Sequence, residues 1–279
     1  MTLLEVLQST AGYFKKHQVE SPRLNAEHLL AHVLKQKRIE LYLQFERELA
    51  ETELAPLREL VRRRGQGEPL QHLLGTVEFA GRTFLCDKRA LVPRPETEEL
   101  VERIAECRLP NADCRILDVG TGSGVIALSL AAKFPDAKVT ATDVSDDALT
   151  LARENAERLG LADRVEFLRS DLLLAVTHGY DLIVANLPYV ASSDRPILSR
   201  EVLHDPEVAL FSGPRGDEIV RRLIQEAPTR LKPGGLLALE LGLGQADDLA
   251  ALMAEKNYHD IKKERDYGGV IRFLFGQHG

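Results

Sequence analysis

The chain has 279 residues, of which 28% are charged, 44% hydrophobic and 5% aromatic, with no Trp. That length suits one large domain or two of moderate size with a core that needs no covalent staples, and the composition excludes disorder, collagen-like repetition and low complexity. The net charge of −7, spread as +1 over residues 1–75 and −8 over the remainder, excludes a chain that holds polyphosphate by bulk charge.

The N-terminus has no basic segment ahead of an apolar run, and Glu5 argues against a transit peptide. Over the first 75 residues apolar positions recur at helical spacing. Leu3, Leu4, Leu7, Ala11 and Phe14 form one stripe, and Leu29, Leu30, Val33 and Leu34 a second. Ser21 before Pro22 reads as an N-cap with proline at the first helical position. Leu54, Leu57, Leu60 and Val61 form a third stripe that ends near Gly65 and Gly67, so a small helical bundle is expected. Arg62, Arg63 and Arg64 read as a basic run at a helix end that complements the dipole; three charges are too few to argue contact with RNA or an acidic protein surface.

Residues 76–92 change character. Val77, Phe79, Phe84 and Leu85 flank Ala80-Gly81-Arg82, which predicts a β-hairpin linking two domains. PRPETEELVERIAE (93–106) starts a helix with acidic residues in its first turn, where the helix dipole favours them. From residue 114 strand and helix alternate. RILDVG, KVTATDV, RVEFLRSD, YDLIVANLPY, LLALELG and IRFLFG read as strands. GVIALSLAAKF, SDDALTLARENAERLG, DEIVRRLIQEAPTRL and QADDLAALMAEK read as helices, and LKPGG as a turn. This order predicts an α/β fold, a doubly wound and mostly parallel sheet, preceded by the small all-helical domain. Ligands of such sheets bind at the carboxyl ends of the strands near the switch point, so candidate residues should follow strands.

No segment approaches the roughly 18 apolar residues of a membrane span. Cys86, Cys107 and Cys114 are odd in number and lack CxxC spacing, and read as thiols in a reducing compartment; a cytoplasmic location is expected. His28 and His32 stand at i, i+4 without a neighbouring acid or third ligand, so no metal site is expected. Ser170, Asp171 and His178 have no spacing that makes a nucleophile–base pair.

Four motifs follow strands. In Asp118-Val119-Gly120-Thr121-Gly122-Ser123-Gly124 the glycines permit a tight turn and close approach of a ligand. Val125 takes the place of the third glycine of a dinucleotide fingerprint, so no diphosphate is expected there. Asp143, 23 residues after Gly120, ends the next strand, where an acid can hydrogen-bond ribose hydroxyls. Asp171 ends the third strand, where it can meet the amino edge of an adenine with Leu172 on the ring face, or cap a loop. Asn186-Leu187-Pro188-Tyr189 ends the fourth. Pro188 biases residue 187 towards an extended backbone, which turns the Leu187 carbonyl outwards beside the Asn186 side-chain carbonyl. Two converging acceptors fit a planar NH₂ group, with Tyr189 over its flat face; the alternative is a β-bend with a buried Tyr.

With these residues the chain resembles the class I S-adenosylmethionine-dependent methyltransferases, and more narrowly the protein-(glutamine-N5) methyltransferases that modify peptide chain release factors, the PrmC/HemK family. The resemblance runs through GEPLQHLLG (67–75), the EF of VEFAGRTF, LVPRPETEELVE (91–102), LDVGTGSGVIALSLA (117–131), NLPY, ALFSGPRG (209–216), LKPGG and LELGLGQ. LVPRPETEELVE is the most specific of these, because a generic methyltransferase lacks it. The family form is N-P-P-Y; here Leu187 stands in the second place, and N-L-P-Y also occurs in ribosomal RNA adenine dimethyltransferases. Ile271 stands where the family often has an acid before Arg272.

The resemblance implies a helical domain over 1–75, a hairpin linker over 76–92 and a catalytic domain over 93–279. It implies that Gly120, Thr121, Gly122, Ser123, Gly124 and Asp143 hold S-adenosylmethionine, with Asp171 or Leu172 at the adenine and Asn186 at the cofactor edge. Asn186, Leu187, Pro188 and Tyr189 would hold the substrate glutamine. Arg94 and Glu96 would border the substrate opening, or pair with each other across a turn. The product would be S-adenosylhomocysteine, with no metal. The expected partner is a release factor, with no membrane, no direct nucleic acid and a monomeric chain. An RNA or DNA adenine N6-methyltransferase is the alternative, since an exocyclic adenine NH₂ is a similar planar amine. A catalytically silent binding protein is the third reading.

Overall fold

The computed structural model describes residues 1–107, 109, 113–176 and 179–279. His178, weighed above with Ser170 and Asp171, lies outside the described residues. The chain divides into two compact units: Met1–Thr76 with Ser199–His204, and Val77–Leu198 with Asp205–Gly279.

The first unit is helical: α1 (Leu3–Lys16), α2 (Pro22–Leu34), α3 (Arg38–Leu41), α4 (Glu51–Gly65) and α5 (Leu70–Leu74). A capping box starts α1, in which Thr2 Oγ1 accepts from Glu5 N and Glu5 Oε2 accepts from Thr2 N. Leu3, Leu7, Phe14, Leu29, Leu30 and Leu57 form the core, as the stripes require. Ser21 is the N-cap of α2 with Pro22 opening the helix, as expected, but it lies in the left-handed region (φ 44°) and makes no side-chain cap; Asn25 Nδ2 donates to the Glu20 and Ser21 carbonyls. Arg64 stands in the last turn of α4 with Arg62 and Arg63, as expected, but its side chain is buried. It is 4% exposed and its guanidinium donates to Asn25 Oδ1 (2.8 Å), the Glu68 carbonyl (3.1 Å) and Glu201 Oε2 (2.7 Å). Burial of a guanidinium is tolerated because each face of its donor fork is satisfied. Arg62 and Arg63 stay at the surface and pair with Glu59 and Glu68.

The second unit opens with the hairpin β1 (Thr76–Phe79) and β2 (Arg82–Leu85), turned at Ala80 (φ 48°) and Gly81 (φ 70°). Positive φ at both central residues matches the twist of the flanking strands. Phe79 and Phe84 are buried in the core of this unit. Then follow α6 (Pro95–Glu106), β3 (Arg115–Val119), α7 (Val125–Lys133), β4 (Lys138–Asp143), α8 (Asp146–Arg158), β5 (Val165–Arg169) and β6 (Tyr180–Asn186). The chain continues through α9 (Glu207–Leu210), α10 (Glu218–Glu226), β7 (Leu231–Glu240), α11 (Ala246–Glu255), β8 (Tyr258–Arg265) and β9 (Ile271–His278).

The seven-stranded sheet has the order β5-β4-β3-β6-β7-β9-β8, parallel except for β9, which runs antiparallel between β7 and β8. The order reverses between β3 and β6, which makes the crevice at their carboxyl ends the binding position of a doubly wound sheet. Leu117, Val119, Ile183 and Leu237 point to one buried face, and Ile116, Leu182 and Val184 to the other. Strand β7 runs through LKPGG, with Gly234 at φ 76° and a register shift opposite Tyr180 and Leu182, where a turn is expected from the sequence. Among the described residues no helix is long and apolar enough to cross a membrane.

Candidate active site

The carboxyl ends of β3, β4 and β6 line one open cleft in the second unit. After β3 the chain turns at Gly120 (φ 74°), Gly122 (φ 56°) and Gly124 (φ 84°), conformations that favour glycine. At Gly120 a Cβ would also come within 2.8 Å of Leu187 Cδ2, so the strand tip at β6 rests on this turn. Gly120 N and Thr121 N donate to the Thr142 carbonyl, which extends the β3–β4 pairing into the loop.

Two carboxylates shape the turn. Asp118 is fully buried; its Oδ2 accepts from Thr121 Oγ1 (2.6 Å) and Ala127 N (3.1 Å), and burial pushes its carboxyl up to about 7. Asp143, at the end of β4, accepts from Gly122 N through Oδ2 and from Ser145 N through Oδ1, both at 2.9 Å. Burial raises its pKa against these amide hydrogen bonds. Asp143 therefore holds the glycine turn while it lines the cleft. Asn155, fully buried on α8, donates to the Ser123 and Leu85 carbonyls and accepts from Leu85 N, and so fixes the turn to the end of β2.

Asn186 ends β6. Its Nδ2 donates to Thr97 Oγ1 (2.9 Å), which in turn donates to Glu240 Oε2 (2.7 Å) at the end of β7. Thr97 and Glu240 are 3% and 1% exposed. Just beyond, Gln245 Nε2 donates to the carbonyls of Tyr189 and Gly216, both at 3.1 Å, and Gln245 Oε1 accepts from Gly242 N. Gly216 permits this approach: a Cβ there would lie 2.7 Å from Ala191 N and 2.8 Å from the Tyr189 carbonyl. The roles of ALFSGPRG and LELGLGQ follow, since both segments brace the chain after Asn186. Gln245→Ala should destabilise the fold by about 1–3 kcal/mol, because two carbonyls and one amide lose a buried partner. A denaturant melt checks this; a loss below about 0.5 kcal/mol would remove the bracing role.

The cleft wall holds Gly120, Thr121, Gly122, Ser123, Asp143, Asp171, Leu172, Asn186, Leu187 and Pro188 of the residues expected from the sequence. Gly124, Tyr189, Arg94 and Glu96 do not line it. Gly124 is the N-cap of α7, packed against Ala152 and Leu128. Arg94 pairs with buried Asp205 (2.8 Å), which also accepts from Val92 N, so PRPETE is tied to the chain before α9. Asp171 is held by Arg222 of α10 at 3.1 Å. No local sequence pattern marks Thr97, Glu240, Asp205, Gln245 or Arg222 for these contacts. Thr97, Glu240 and Gln245 stand inside quoted motifs, which was the available signal. Among the described residues no group of three or more His, Cys, Asp or Glu is placed to hold a metal.

The sheet order, glycine turn, second-strand acid and strand-tip Asn define a class I S-adenosylmethionine-dependent methyltransferase. A methyltransferase from Pyrococcus furiosus has the same fold (TM-score 0.54, 23% identity, 70% of this chain and 88% of that one). Residues 5–75 match the family model of the PrmC N-terminal domain, and residues 97–215 that of the methyltransferase small domain. A release factor glutamine methyltransferase from Chlorobaculum tepidum is 40% identical, over 98% of this chain and 96% of its own. Another from Deinococcus radiodurans is 43% identical, over 98% of both chains. The chain belongs to the release factor glutamine methyltransferase family.

Proposed function

We propose that the chain transfers a methyl group from S-adenosylmethionine to the side-chain amide nitrogen (N5) of the glutamine in the Gly-Gly-Gln motif of peptide chain release factors. The observation that carries this reading is the orientation of Asn186: Nδ2 donates to Thr97 Oγ1, which turns the NH₂ end towards Thr97 and leaves the carbonyl to accept where Asn186 lines the cleft. Together with the Leu187 carbonyl it offers two acceptors to the two N–H bonds of a primary amide. The shared name of the relatives supports the same substrate.

The residues present fit the cofactor. A glycine turn that admits close approach, an acid already oriented by two backbone amides, and Leu172 beside Asp171 suit an amino-acid tail, a ribose and an adenine in turn. When bound, S-adenosylmethionine supplies a methyl group on a sulfonium and its own leaving group; S-adenosylhomocysteine is the product. The chain's residues supply position and electrostatics. A carboxamide nitrogen is a poor nucleophile because its lone pair is delocalised, so Asn186 and Leu187 must hold it in line and favour the positive charge that develops there. A strong base is not required, since the methylated nitrogen is acidic and releases its proton to water or a nearby carbonyl. In this reading residues 1–75 dock the protein substrate, 76–92 link, and 93–279 catalyse.

A mass spectrum of the Gly-Gly-Gln peptide, taken after incubating a purified release factor with this chain and S-adenosylmethionine, tests the proposal. One added methyl on the glutamine is expected. An unmodified peptide with label transferred to RNA alone overturns it in favour of an adenine methyltransferase.

A further inference from the structure

We infer that Glu240 is a positioning residue for methyl transfer: through the Thr97 hydroxyl it fixes which end of the Asn186 carboxamide faces the cleft. This rests on the reading of Asn186 as an acceptor for the substrate amide, and it names what makes Asn186 an acceptor.

Asn186 and Glu240 are register partners at the carboxyl ends of the parallel strands β6 and β7. Thr97, in the first turn of α6, stands between them, 2.9 Å from Asn186 Nδ2 and 2.7 Å from Glu240 Oε2. A hydroxyl has one proton to give. An ionised carboxylate can only accept, so that proton goes to Glu240 and Oγ1 must receive from Asn186. The NH₂ end of Asn186 is thereby drawn inwards and the carbonyl is left to the cleft. Reversing Asn186 would set its carbonyl against an oxygen whose proton is already spent. A neutral carboxyl at 240 lifts the restriction. It can donate to Thr97, the hydroxyl can turn to Asn186, and the carboxamide can rotate to place NH₂ in the cleft, where a substrate NH₂ then keeps only the Leu187 carbonyl as acceptor.

The surroundings bring this change into the working range. Burial and the Glu96 charge on α6 raise the Glu240 carboxyl to about 7, against the hydrogen bonds from Thr97 and Asn186 and the charge of Arg272 on β9. Arg272 is itself engaged with the Leu241 carbonyl and lies 3.6 Å from Asp266. Phe273 is the β9 register partner of Glu240, and the Tyr189 phenol nearby is pushed up to about 12 and stays neutral. Because the ionised form holds Asn186 in place, kcat falls as pH drops through about 7. Stability runs the other way. The cost of a buried charge is present above about 7 and is relieved as pH falls towards the ordinary Glu value of 4.5.

The test reads the carboxamide directly. In protein labelled with ¹⁵N-Asn, the Asn186 side-chain resonance is identified by its loss in Asn186→Ala. We expect it to titrate with a midpoint of about 7 in the wild type. In Glu240→Gln it should stay constant between about pH 5.5 and 8.5. In turnover on a release factor, Glu240→Gln should lower kcat about ten-fold at high pH, with the S-adenosylmethionine affinity unchanged. Its pH profile should lose the limb due to Glu240, which separates that group from Asp118. Thr97→Val should lower kcat by less, because Asn186 also hydrogen-bonds Glu240 directly, and Thr97→Ser, which keeps the hydroxyl, should restore turnover. A wild-type Asn186 resonance that does not titrate, or a Glu240→Gln enzyme with wild-type kcat and profile, overturns the inference. The resonance needs no release factor, so a wild type inactive on release factors refutes the proposed substrate while the titration still decides the relay. Should Glu240→Gln fail to fold, the wild-type titration and the Thr97 pair decide it.

Discussion

Asn186→Ala is expected to lower kcat on a release factor by about 10²–10³, the scale on which removal of one preorganised polar group at a reacting centre acts. On the proposed function the side chain supplies one of two acceptors at the strand tip, and its loss leaves the glutamine amide free to rotate out of line. Cofactor affinity should change by no more than about three-fold, because Asp143 and the glycine turn keep their own hydrogen bonds. Single-turnover methylation and calorimetry on the same preparation separate the two effects. A variant that methylates at a near-normal rate would show that the Leu187 carbonyl suffices and that Asn186 is not the anchor.

Asp143→Ala should act on binding. Two charge-assisted hydrogen bonds to a ligand are worth about 3 kcal/mol together, which weakens S-adenosylmethionine binding by roughly 10²-fold. The same carboxylate accepts from Gly122 N and Ser145 N, so the glycine turn also loses an internal tie. Asp143→Asn is not a mild substitution, since one amide donor would then face a backbone N–H. Titration calorimetry checks this, and an unchanged affinity would move the ribose site away from β4.

The parts of the site legible in the sequence are those whose chemistry is local. The glycine turn, Asp143 and Asn186-Leu187-Pro188-Tyr189 each follow an apolar strand within a few residues, and strand ends at a switch point are where ligands go. The Thr97–Glu240 contact joins residues 143 positions apart, and no periodicity marks it. The helix-end position of Arg64 is legible in the sequence but its burial is not, because its partners Asn25 and Glu201 come from other segments. Strand β8 (YHDIKKER) gave no strand signal because it is a sheet edge. Its exposed Lys262, Lys263 and Arg265 are the charges that keep an edge from pairing with another chain. Asp171 could be placed on the cleft wall, but not its bond to Arg222, which α10 brings from 51 residues away.

Ser199–His204 belongs with the helical unit although it lies more than 120 residues beyond that unit's last contiguous residue, Thr76. Arg64 needs Glu201 from this stretch, and Gly67, at φ 102°, has no room for a side chain beside Arg200. Any recombination that exchanges the helical unit must therefore transplant two separate pieces of gene. A graft cut only at residue 76 would leave Arg64 without its carboxylate partner and Gly67 beside a foreign segment. Whatever selectivity the unit carries is thus inherited jointly with the stretch that follows the NLPY tip, and the two should diverge in step.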